Sequence, residues 1–155
     1  MSDPILHDVL YEPEIPLNTG SVGRTCVAVG AKLWLVRPLG FRIDERKLRR
    51  AGLDYWERLN WEIADDWECV TERLDSSRIW MIETDGKKLY TTADYRRGDA
   101  LVFGPETRGL PQKLLDLDPD RTLRLPMQVD TRSLNLSNVV SAVVFEALRQ
   151  MKWAE

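Results

Sequence analysis

Three short stretches of the 155-residue chain hold the residue types that could do chemistry. The first is Asn18-Thr19-Gly20-Ser21-Val22-Gly23-Arg24. Glycines near a helix start let another backbone or a ligand come close and leave N–H groups for an anion, with a guanidinium one turn inside. No Gly-Lys-Ser/Thr follows and the Rossmann glycine spacing is absent, so neither a P-loop nor a dinucleotide fingerprint is present. Alone, the stretch reads equally well as ordinary helix-start chemistry. The second is Phe103-Gly104-Pro105-Glu106-Thr107-Arg108-Gly109-Leu110. Gly104 and Pro105 turn the chain, Glu106 sets a carboxylate at a strand end, and Gly109 permits an unusual backbone angle before Pro111 opens a short helix. The plainer alternative is a tight turn with Glu106 and Arg108 paired at the surface. The third is Leu125-Pro126-Met127, followed by Ser133-Leu134-Asn135-Leu136-Ser137-Asn138. Here side-chain oxygens can cap a helix, and unpaired N–H groups can meet a ligand.

Other chemistries are poorly supplied. His7 is the only histidine, and Cys26 and Cys69 are isolated thiols without metal-ligand spacing. A zinc site or a Ser-His-Asp triad is therefore not expected, and neither is a metal cofactor.

These stretches need a frame to hold them. Apolar runs at Ile5–Tyr11, Lys32–Val36, Arg78–Glu83, Ala100–Phe103 and Thr122–Leu125 read as strands. A shorter one is expected near Trp61–Ile63. Between the first two lies a helix with Asn18 or Thr19 as its cap and Gly30 as its stop, which makes a parallel pair with a crossover. A helix is expected over Glu68–Leu74 and a turn near Thr92–Tyr95. Near the C-terminus, Leu136, Val139, Val140, Val143, Val144, Ala147 and Leu148 recur at helical spacing on one broad face. Ser137, Ser141 and Ala142 there are small enough to admit a second backbone. The alternation predicts an α/β fold, a mostly parallel sheet with helices on both faces, in one domain over 1–155. Ligands on such sheets gather at the carboxyl ends of the strands, where the three polar stretches fall.

The composition, 43% hydrophobic and 30% charged, suits an ordinary soluble protein. No apolar run approaches a membrane span, and the N-terminus lacks a signal-peptide pattern, so a cytoplasmic location is expected. The net charge of -3 hides a basic stretch in which Arg42, Arg46, Lys47, Arg49 and Arg50 outnumber Asp44 and Glu45. It reads as a short helix capped by Asp44 and ended by Gly52, either a solvated face or a set of phosphate contacts. Trp34, Trp56, Trp61, Trp67 and Trp80 read as packing residues rather than base-stacking platforms.

The ordered set NTGSVGR, FGPETRGL and LPM with SLNLSN resembles the SpoU class of the SPOUT RNA methyltransferases, over nearly the whole chain. LYEPEIPLNTG and RRAGLDYW, with no length left for an added RNA-binding domain, are similar to its minimal branch, which methylates the ribose of the tRNA wobble nucleotide. The resemblance implies a C-terminal trefoil knot and S-adenosylmethionine as methyl donor. Its pocket would be lined by Ile82, Gly104, Leu125, Met127 and Ser133, with Glu106 either near the cofactor's positive end or ordering the loops. It further implies Arg24, Ser133 and Asn135 as the catalytic group, and a homodimer. Leucine tRNAs are the expected substrates, and Arg46, Arg49 and Arg50 with Arg24 become contacts for the anticodon arm. Methylation of another tRNA position or of ribosomal RNA, or a noncatalytic RNA-binding role, is the alternative.

Overall fold

The computed structural model describes residues 2–44, 46 and 54–153. Seven strands form one sheet: β1 (His7–Tyr11), β2 (Lys32–Val36), β3 (Trp61–Ala64), β4 (Ile79–Ile82), β5 (Lys88–Leu89), β6 (Ala100–Phe103) and β7 (Thr122–Arg124). Their order is β3-β2-β1-β6-β4-β7-β5, and every pair is parallel. The inner strands are short apolar runs because both faces are covered. Leu33, Leu35, Leu101 and Phe103 point into one core; Trp34, Val36, Ala100 and Val102 point into the other.

Helices cover both faces. The first core is closed by α1 (Pro16–Val29) and α4 (Leu136–Gln150), the second by the short α2 (Trp67–Thr71) and α3 (Gln112–Leu115). On α4 the buried residues are Leu136, Val140, Val143, Val144, Ala147 and Leu148. Val139 is only partly buried. Ser141 provides the close approach expected of a small residue, since its Oγ lies 3.2 Å from Thr25 Oγ1 on α1. Gly30 ends α1 in the left-handed conformation (φ 81°), where a Cβ would be strained.

Several boundaries differ from the sequence reading. α1 begins at Pro16, and its N-cap residue is Ile15 without a side-chain cap; Asn18 and Thr19 are buried in its first turn. Proline at the first helical position has no N–H to satisfy and a suitable φ, so it starts the helix ahead of the polar residues. The two-residue β5 was not foreseen, and the turn expected at Thr92–Tyr95 is a 3-10 turn at Tyr90–Thr92. Asp44 Oδ1 accepts the Arg46 N–H at 3.0 Å, as a cap would. The rest of the expected basic helix, with Arg49, Arg50 and Gly52, lies outside the described residues.

Candidate active site

β6, β4 and β7 are neighbours, so the loops leaving their carboxyl ends meet. They enclose a cavity of about 600 Å³. Its apolar cover comes from Ile82, Phe103, Leu125, Met127, Leu136 and Val139; Gly104, Glu106 and Ser133 also line it. The cavity thus brings together Ile82, Gly104, Glu106, Leu125, Met127 and Ser133. Glu83, Asp85, Arg108 and Arg132, which the sequence reading did not single out for the pocket, line it as well.

Backbone crowding shapes this cavity. A Cβ on Gly104 would stand 2.4 Å from the Leu110 nitrogen and 2.5 Å from the Gly109 carbonyl carbon, so the loop folds back over a residue that must be glycine. Gly109 takes φ 69°, and the Glu83 carboxylate sits where its side chain would be. Glu83 Oε2 accepts the Leu110 N–H at 2.6 Å, and Oε1 accepts the Thr84 N–H at 2.9 Å, which joins two walls of the cavity. Gly104→Ala is therefore expected to displace the 109–110 backbone, deform the cavity wall that Gly109 forms, and weaken binding of S-adenosylhomocysteine more than about 10-fold. Isothermal titration checks it, and unchanged binding would show that the cavity is not where the adenosyl group sits.

Glu106 does not pair with Arg108. Its Oε1 accepts the Glu14 N–H at 3.1 Å and its Oε2 the Ile15 N–H at 2.6 Å, while Arg108 lies 3.7 Å from Glu12. Of its two expected roles, the contacts made are those of loop ordering: an anion held against the positive end of α1.

Asn135 caps α4, accepting from the N–H groups of Ser137 (2.9 Å) and Asn138 (3.4 Å), and its Nδ2 donates to Asn18 Oδ1 at 3.1 Å. The polar start of α4 is thereby tied to the first turn of α1. Arg24, eight residues into α1, is exposed, with its guanidinium 5.7 Å from the centre of the Tyr55 ring. It does not line the cavity of its own chain.

The glycines before Arg24 work differently from the sequence reading. Both lie inside α1 rather than at a free end, so their N–H groups belong to the helix ladder. Tyr55 Oη–H donates to the Gly20 carbonyl at 2.6 Å, and a Cβ on Gly23 would be 2.9 Å from the Trp56 ring. They admit an aromatic pair instead of an anion. The order of motifs, the parallel sheet and the shared cavity agree with a family model, the SpoU rRNA Methylase family, which matches residues 6–145. The chain belongs to the SpoU methylase family.

A tRNA (cytidine(34)-2'-O)-methyltransferase of Methylovorus glucosotrophus (strain SIP3-4) is 45% identical over 147 residues, covering 94% of this chain and 96% of that one. A solved structure from work on the 2-OH methylation of C/U34 on tRNA is similar at TM-score 0.88 and 44% identity, covering 95% of this chain and 96% of that one. An AdoMet-bound rRNA methyltransferase from Sinorhizobium meliloti is similar at TM-score 0.80 and 25% identity, covering 97% of this chain and 58% of that one. Among the described residues of this SpoU methylase, no His/Cys/Asp/Glu cluster could hold a metal ion, and no helix is long and apolar enough to cross a membrane.

Proposed function

We propose that this SpoU methylase transfers a methyl group from S-adenosylmethionine to the ribose 2'-oxygen of nucleotide 34, a cytidine or modified uridine, in tRNA, with leucine isoacceptors as its substrates. The observation that carries this reading is likeness over nearly the full length to a C34 methyltransferase of the same size. The cavity fits the cofactor: apolar side chains can cover an adenine while loop N–H and C=O groups read its edge, and the absence of a Cβ at Gly104 lets the 109–110 backbone close against it to form the wall.

When bound there, S-adenosylmethionine supplies a methyl activated by a sulfonium. The chain's task is to align the ribose oxygen and assist removal of one proton. Ser133, exposed at the cavity mouth, holds the hydroxyl. Asn135 is engaged in capping and in its bond to Asn18, so it fixes the segment that carries Ser133. Arg24 clamps a neighbouring phosphate. A guanidinium offers five N–H donors and no acceptor lone pair, so any part for it in removing the proton runs through that phosphate.

Arg24 is exposed and does not line its own cavity, which supports a homodimer in which it serves the partner's. Leu17 on α1 and Phe145 on α4 are exposed apolar residues on the two helices that would meet. Sedimentation of a fully active monomer would exclude this. Arg46, Arg49 and Arg50 contact phosphates of the anticodon arm. Reversing the charge of Arg49 and Arg50 is expected to weaken tRNA binding and to flatten the slope of log affinity against log salt by roughly 1–2. An unchanged slope would return them to a solvated face. The trefoil knot, a single SPOUT domain and a cytoplasmic setting complete the proposal.

The deciding experiment incubates the protein with labelled S-adenosylmethionine and total tRNA, then maps ribose methylation by mass spectrometry. Methyl on the nucleotide-34 ribose of leucine tRNAs is the expected result. Methyl at another site would discard the position, and none in tRNA would discard the substrate.

A further inference from the structure

We propose that Glu14 and Thr107 are positioning residues of the transfer step, forming a clasp that sets the helix carrying Arg24 against the loop that walls the cofactor cavity. The inference rests on the function proposed above. α1 has no side-chain cap of its own, so its entry must be held from elsewhere. The 104–110 loop does this through the two bonds from Glu106, and the chain returns the contact. The Glu14 carboxylate accepts from the Thr107 N–H at 2.9 Å and from Thr107 Oγ1–H at 2.7 Å. Carboxylates at positions 14 and 106 thus exchange hydrogen bonds with each other's backbone segments, across more than 90 residues of sequence.

The Thr107 donors hold the Glu14 carboxyl below its ordinary range, so the clasp stays ionised at neutral pH. The backbone beneath it is equally constrained. Gly40 N–H donates to the Pro13 carbonyl at 2.9 Å, and a Cβ on Gly40 would be 2.8 Å from Glu14 Cα. The segment leading to the basic stretch is therefore seated on the same residue.

The lever arm gives the clasp its effect. Arg24 lies eight residues beyond Pro16, the first residue of α1, about 12 Å along the helix, so a tilt of about 5° at its entry moves that position by about 1 Å. Misplacement of about 1 Å can cost about 100-fold in rate. The same holds whether Arg24 serves its own cavity or a partner's, because the cavity wall is referenced to α1 in both.

The test compares Glu14→Ala, Thr107→Val and Thr107→Ser with the wild type in full-length protein. It measures kcat at saturating tRNA and cofactor, the Kd of S-adenosylhomocysteine, and amide hydrogen exchange over 12–17 and 104–110. Glu14→Ala is expected to lose about 10- to 100-fold in kcat with cofactor affinity within about threefold, and to speed exchange at the Thr107 amide. Thr107→Val should lose less, since its N–H remains, and Thr107→Ser should match the wild type. If Glu14→Ala does not fold, the valine and serine pair decides. Unchanged exchange at Thr107 would show that the clasp does not exist. Faster exchange with kcat within twofold of wild type would show that it positions nothing, and a Kd of S-adenosylhomocysteine raised more than about 10-fold with kcat preserved would make it a pocket residue instead. An inactive wild type sinks the proposed function and the inference with it; an active wild type with an active Glu14→Ala sinks the inference alone.

Discussion

Arg24→Ala is expected to lower methyl transfer to tRNA by roughly 1,000-fold while leaving the Kd of S-adenosylhomocysteine within about threefold. The two effects separate because the Arg24 guanidinium lies over the Tyr55 ring and does not line the cavity of its own chain. Its removal should cost the fold little, since an exposed cation over an aromatic ring contributes only about 0.5–1 kcal/mol. Arg24→Lys keeps the charge but loses the planar fork, so it should recover only part of the rate. Mixed dimers then locate the arginine. A subunit with Arg24→Ala and an intact cavity, paired with a Gly104→Val subunit that retains Arg24, has one complete site only if Arg24 works across the interface. Activity in the mixture, absent from either parent, is the expected result. A mixture as inactive as its parents would place Arg24 with its own cavity, and a large fall in cofactor affinity in Arg24→Ala would remove the phosphate-clamp role.

What the sequence discloses here follows from the range of the interaction. β2 falls at Lys32–Val36 as read, and Gly30 ends α1, because a run of buried apolar residues and a left-handed glycine are local signals. Two of the three polar stretches follow strand ends, those of β6 and β7, because the strands themselves are legible, whereas Asn18–Arg24 lies inside α1. The partners of their side chains are not, since each is set by contacts about 90–120 residues away: Glu106 with the Glu14 and Ile15 amides, Asn135 with Asn18. Gly23 carries no local mark of the Trp56 ring it admits. β5 has only two residues, Lys88 and Leu89, both exposed, so no hydrophobic pattern exists to announce it. One signal was available for the clasp. A helix that begins with proline and lacks Ser, Thr, Asp or Asn at its cap, just after Glu12-Pro13-Glu14, needs its entry held from outside.

Asp8→Asn is expected to remove a pH dependence of stability that the wild type partly conceals. Asp8 sits on β1 with no exposure, between Leu33 of β2 and Leu101 of β6. The Cys26 thiol donates to its Oδ2 at 3.2 Å, and Oδ1 has no protein partner among the described residues. Burial pushes its carboxyl from 3.8 up to about 7, against a smaller lowering by the thiol. A raised folded pKa means that the fold favours the neutral acid. The stability from this group is complete below about 3.8, declines as pH rises, and is gone above about 7, where a charge must be buried. A shift from 3.8 to about 7 corresponds to about 4 kcal/mol, or about 8–16 °C in Tm for a chain of this size. His7 works in the opposite sense. Burial first, then the charges of Lys32 and Arg73, lowers it from 6.5 to about 4, so its contribution grows as pH rises through that window. The two slopes oppose each other between about pH 4 and 6.5, and only Asp8 remains above it. The informative quantity is therefore the difference between Asp8→Asn and wild type in urea or thermal unfolding. The variant should gain steadily on the wild type from pH 4 to about 7, and the difference should level off above that. Cys26→Ala, which removes the donor, should steepen the wild-type decline near neutrality, because the bond it deletes favours the carboxylate. Parallel curves for Asp8→Asn and wild type across that range would show that Asp8 is not the buried group that titrates.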